Sequence, residues 1–152
     1  MSTTTIHSDE RAVEMIRQHH TSLVEQLSTR VEAVRHADDR AFGAARAALV
    51  DWLRSDLVPH AVGEETTLYR AASELARGRL LIEALVSEHS VIRDFVQQIE
   101  FCEDRDEVAG WASALLRTFF SHAALENELV LPLLVADPGT DLSALLHEMH
   151  EH

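Results

Sequence analysis

Apolar residues recur along most of this chain at steps of three and four, the spacing that lines one face of a helix, and no run of alternating Val, Ile and Thr suggests a strand. The repeat predicts four long helices, Asp9 to His36, Asp39 to Arg77, Arg79 to Cys102 and Asp106 to Val135, with a short tail helix from Asp141. Only "HADD", "RGR" and "EDRD" separate the long segments, and turns that short join antiparallel neighbours. The expected fold is all-α, an up-down-up-down four-helix bundle with a short tail helix, and the length suits one domain over residues 1–152. Pro59 is the local conflict. An interior proline lacks the backbone donor, so a bend is expected near Leu57.

Polar residues break the inward rows at matching places. The first helix reads Val13, Ile16, His20, Val24, Leu27, Val31, Val34, and the second reads Leu49, Leu53, Leu57, His60, Glu64, Leu68. The third gives Ile82, Leu85, His89, Ile92, Val96, Ile99; the fourth gives Val108, Trp111, Leu115, Phe119, His122, Glu126, Leu129, Leu133. Glu64 lies 14 residues before Gly78 and His89 lies 11 after it, while His89 and His122 lie 15 and 18 residues from Asp104. At about 1.5 Å of rise per residue, the groups fall in roughly one layer. His20 and His60 match less well about Ala37, a difference the Pro59 bend and a loose turn would absorb.

A single histidine on an apolar face is ordinarily a satisfied core residue. Six unpaired polar groups in one layer would cost roughly 1–3 kcal/mol each, and more for ionised carboxylates. A metal compensates such a layer. Imidazole and carboxylate suit iron and related first-row metals, and His-xxx-Glu at i, i+4 aims two donors from one helix face at one point. His20, His60, Glu64, His89, His122 and Glu126 are therefore the candidate metal ligands.

Composition narrows the partners. The net charge is −13, from 26 acidic against 13 basic residues, with no Lys/Arg cluster to receive phosphates, so neither nucleic acid nor an anionic membrane is expected as a partner. "MSTTTIHSDE" lacks a basic stretch followed by an apolar run, and nowhere do about 18 apolar residues follow one another. The single cysteine, Cys102, reads as a small buried hydrophobe in a reducing compartment, and a cytoplasmic location is expected.

The stretches "HHTSLVEQL", "HAVGEETTLY", "EHSVIRDFV" and "HAALENELVLP" span all four helices, and in them the chain resembles the bacterial hemerythrin-like proteins, with their H…HxxxE…H…HxxxE cation-binding pattern. The two HxxxE segments also resemble each other, suggesting a pseudo-repeat of two helical hairpins. The resemblance implies that His20, His60, His89 and His122 are terminal ligands of two iron ions in a non-haem di-iron site. Glu64 and Glu126 would bridge them, with water or an oxo or hydroxo bridge filling part of the remainder. Oxygen-carrying hemerythrins have a further HxxxH histidine on the third helix; here Leu85 and Arg93 stand four residues to either side of His89. The extra open positions favour peroxide or nitric oxide chemistry over oxygen storage, and the expected function is reaction with hydrogen peroxide, catalase- or peroxidase-like in an oxidative-stress response. The alternative is an oxygen or nitric oxide sensing module acting through a protein partner. Ferritin-like bundles use Glu-x-x-His at i, i+3, the reverse order, which argues against an iron store.

Several neighbours read more simply. His20 continues the row from Ile16 to Val24 better than His19 does. Glu65 and Glu128 are rotated off their stripes and read as solvated, with support of a ligand histidine the lesser alternative, and Glu65 or Glu88 could also fill an open metal position. Glu88 sits beside His89 and is a weaker candidate to accept from a ligand histidine, and Tyr69 falls half a turn out of phase with His60 and reads as packing. His147, His150 and His152 read as a solvated tail.

Overall fold

The computed structural model describes residues 3–151, and every regular element among them is helical. The first rod is α1, Thr3–His36. The second is built from α2 (Phe42–Trp52), a π turn (Leu53–Leu57), α3 (Val58–Thr66) and α4 (Leu68–Ser73). The third is α5, Arg79–Phe101, and the fourth is α6 (Arg105–Leu125), a second π turn (Glu126–Val130) and α7 (Leu131–Ala136). Finally α8, Leu142–His150, leans on α1, α3 and α4. α1 packs beside α2 and α6, and α5 beside α2 and α6, so consecutive rods alternate in direction around a ring.

The turns have local causes. Asp104 caps α6 by accepting from the Glu107 amide at 2.9 Å, and Asp141 caps α8 through the Ala144 amide at 3.0 Å. At Gly78 a Cβ would stand 1.9 Å from the Ala72 carbonyl oxygen, so this tight turn requires glycine.

Both π turns precede a proline by two residues. The Val58 amide reaches back five residues to the Leu53 carbonyl, and the Leu131 amide to that of Glu126. Proline supplies no amide at the next position and crowds the preceding turn, which the wider turn accommodates. The disturbance expected near Leu57 is therefore a π turn. The second, ahead of Pro132, corrects the fourth row: beyond Glu126 the buried positions are Val130, Leu131 and Leu134, while Leu129 is 47% exposed and Leu133 only partly covered. An extra residue in one turn advances the inward face by one position. Nearer the start of α6, Ala112 is fully buried and Trp111 only partly so.

The predicted second helix is also broken. Thr67 leaves helical geometry at φ −123°, ψ −84°, its hydroxyl donating to the Gly63 carbonyl at 2.6 Å, and the chain re-enters helix at Leu68. The shift buries Leu68 and Tyr69 together.

The core has two apolar clusters. One contains Leu27, Leu53, Val96 and Leu115; the other contains Ile16, Leu68, Leu85 and Leu134. Along every rod the polar layer falls between them. Arg105–Ala136 is long and apolar enough by composition to cross a membrane, yet it lies against α1 and α5 with His122 and Glu126 buried.

Candidate metal centre

All six predicted residues meet in this layer. His20, Glu64, His89, His122 and Glu126 are each at most 2% exposed, and the His60 side chain is 6% exposed. Glu64 lies at the middle: Oε1 is 3.3 Å from His60 Nε2 and 3.7 Å from His89 Nε2, and Oε2 is 3.4 Å from His20 Nε2. Glu126 Oε1 is 3.6 Å from His122 Nε2 and 3.8 Å from His20 Nε2. These separations are long for hydrogen bonds. They suit donors around an ion, since atoms each about 2.1 Å from one metal stand roughly 3 Å or more apart.

Two groups of converging donor atoms emerge, each within 4.8 Å: Glu64, His89, His122 and Glu126 form one, and His20, His60 and Glu64 the other. Glu64 belongs to both. His20 Nε2, His60 Nε2, Glu64 Oε2 and Glu126 Oε1 are buried without hydrogen-bond partners, an arrangement that costs free energy until cations satisfy it. The residues therefore fit a two-metal, histidine–carboxylate centre.

The outward nitrogens are held as well. His20 Nδ1 lies 2.7 Å from Asn127 Oδ1, and His89 Nδ1 lies 2.8 Å from Glu65 Oε1, which also accepts from Arg93 at 3.2 Å. His122 Nδ1 is the exception, buried without a hydrogen-bond partner and 3.6 Å from Glu88 Oε2. At His20 and His89 these acceptors select the tautomer that presents Nε2 inward. Glu65, expected in solvent, is instead a partner of His89. Asn127 escaped the sequence reading; its signal is adjacency to Glu126 at the start of the π turn.

Tyr69 is the larger correction. Its hydroxyl is buried in the layer, donates to Glu126 Oε2 at 2.8 Å, and stands 2.9 Å from His122 Nε2 and 3.3 Å from His89 Nε2. The break at Thr67 puts it there. Glu128 is exposed as expected, and His147 is exposed and paired with Glu151. His19 lies outside the ligand layer with its ring 5.0 Å from that of His60, and exposed His150 turns toward it at 6.4 Å. His152 lies outside the described residues.

Electrostatics separate the carboxylates. Burial opposes ionisation of Glu64, but the His60 charge and the polar atoms of Glu126 and His20 facing it outweigh burial and hold Glu64 well below the usual range. Burial, with ionised Glu64 beside it, pushes Glu126 well up. Without cations the pair keeps a proton; cations would let both ionise. Burial drives His122 down to about 4, against the pull of Glu64 and helped by the other histidines, so its imidazole is neutral and able to ligate at neutral pH. Burial and the charges of Glu64 and Glu126 raise the Tyr69 phenol.

The fold and site define a class, helical-bundle proteins that hold cations in a histidine–carboxylate layer. Residues 11–134 match the family model for the hemerythrin HHE cation-binding domain. That match covers most of the chain, which belongs to the hemerythrin HHE cation-binding family. No curated protein and no solved structure matches it.

Proposed function

We propose that this chain is a non-haem di-iron protein of the cytoplasm that reacts with hydrogen peroxide. His20 and His60 would hold one ion, His89 and His122 the other, with Glu64 and Glu126 between them. The observation carrying the reading is the pair of donor groups sharing Glu64, lined with partnerless buried imidazole and carboxylate atoms. The donor set is all nitrogen and oxygen, which suits iron. When bound, two iron ions would supply redox equivalents and exchangeable positions for a small oxygen ligand.

The chain's own residues would do the rest. Glu65 and Asn127 fix the His89 and His20 rings, and the surrounding apolar clusters exclude bulk water. The Tyr69 hydroxyl stands beside His89, His122 and Glu126. It would hold a proton within reach of a small ligand in the layer. An open cleft of about 280 Å³ between α1 and α6, lined by His20, Ala123, Ala124 and Asn127, gives such a ligand a way in.

The test is metal analysis followed by oxygen evolution. Purified from iron-replete cells, the protein is expected to carry about two iron atoms per chain, as the two-ion layout requires, and to evolve oxygen from hydrogen peroxide; Glu64→Ala should do neither. A folded protein without transition metal would overturn the centre. Stoichiometric binding of peroxide or nitric oxide, without oxygen evolution or oxidation of a donor, would replace the enzyme with the sensing module.

A further inference from the structure

α8 lies beyond the stretch that matches the family and is docked directly over the His60 side of the centre. Its seat is specific: a Cβ on buried Gly63 would lie 3.1 Å from Met149 Cγ, so the missing side chain lets Met149 settle against α3 at Gly63, three residues after His60. Docking leaves an open cleft of about 320 Å³ whose wall includes His19, His60 and His150. Neither His19 nor His150 has a side-chain hydrogen bond among the described residues. Instead the rings form a short series from surface to centre, His150 to His19 at 6.4 Å and His19 to His60 at 5.0 Å between centroids.

We propose that His19 and His150 form a docking site for a divalent cation, the port through which metal reaches His60 and the centre. A metal–nitrogen bond of about 2.1 Å puts an imidazole centroid roughly 3 Å from its ion, so two rings sharing one ion have centroids roughly 5–6.5 Å apart. The His19–His150 pair falls within that span. Two imidazoles with water completing the shell bind loosely enough to release the ion inward, where His60 Nε2 and Glu64 stand 3.3 Å apart. The neighbouring thioethers of Met15 and Met149 keep the cleft free of competing charge.

The proposal rests on the metal centre proposed above, and the experiment separates the two. Metal-free protein is mixed with Co²⁺ without oxygen, and the growth of its visible absorption is followed to completion. His150→Gln, which removes the donor but retains bulk at an exposed helix end, should slow filling about tenfold with final Co²⁺ per chain unchanged; His19→Gln should do the same. His147→Ala, on the same helix, should fill as the parent does. If α8 only obstructs entry, His150→Gln fills at the parent rate or faster, as Leu146→Ala would, and the port is overturned while the centre stands. A parent protein that takes up no Co²⁺ overturns both.

Discussion

The two halves of the centre share Glu64 but are supported differently. On the α5–α6 side, His89 leans outward on the Glu65 carboxylate, itself fixed by Arg93, while His122 Nδ1 stands 3.6 Å from Glu88 without a hydrogen bond, and Tyr69 closes the space beside them. On the other side His20 meets only the neutral amide of Asn127, and His60 borders a cleft. Carboxylate partners make an imidazole more electron-rich than an amide does, so the two positions should differ in affinity and exchange. If the proposed centre forms, identical donor types would not make its two positions identical.

The comparison breaks most completely at the residue the halves share. Glu64→Ala should abolish both metal positions, so metal content falls from about two ions per chain to nearly none, whereas His60→Ala should spare the His89/His122 position under metal analysis. Removing metal from the intact protein comes next. Cations bound only to the folded chain stabilise it by about 2.7 kcal/mol at a hundredfold excess over Kd, so chelation should lower the melting temperature and speed hydrogen exchange near His60 and His122. An unchanged melting curve after verified metal removal would contradict a buried centre. Glu65→Ala and Asn127→Ala then sharpen the asymmetry. Loss of a ligand's outer partner weakens metal binding about 10- to 100-fold, and competition with a chelator should place Glu65→Ala toward the larger figure.

Acid gives the smallest effect. His122 and His19 are both driven down to about 4, burial leading in each, helped at His19 by His60, His20 and His150. Their folded values lie below the ordinary 6.5, so between 6.5 and 4 the unfolded chain binds more protons and stability falls as pH falls. Raised Glu126 and His60 act with the opposite sign, so the measurable quantity is the difference between variants: in metal-free protein His122→Gln should lose less melting temperature than the parent as pH falls through that window. Identical pH profiles in the parent and His122→Gln would count against a neutral, buried His122 imidazole.

The sequence exposed those features that depend on helix phase. His20, His60, His89 and His122 interrupt apolar rows because their Nε2 atoms must point inward, and Glu64 and Glu126 follow at one turn. What escaped was everything reached by leaving α-helical phase. Tyr69 enters because Thr67 breaks the rod, and Asn127 and the Val130–Leu134 face follow a wide turn that a uniform period of 3.6 cannot express. Pro132 was the available signal, standing after its π turn as Pro59 does. Glu65 was hidden for another reason: its partner lies on a different rod, and single-helix periodicity carries no information about that contact.

The wide turn at Glu126–Val130 behaves as an insertion that the helix has absorbed instead of expelling as a loop. Deleting one residue there, such as Glu128, would return the segment to ordinary pitch and rotate everything after it by about 100° relative to the bundle. With Asn127 and Leu129 made neighbours, α7 could bury its apolar face only by dragging Glu126 out of register. The rod thus carries a frame, in the sense that a reading frame does: the centre and the apolar end beyond it stay in step only while this surplus residue is retained.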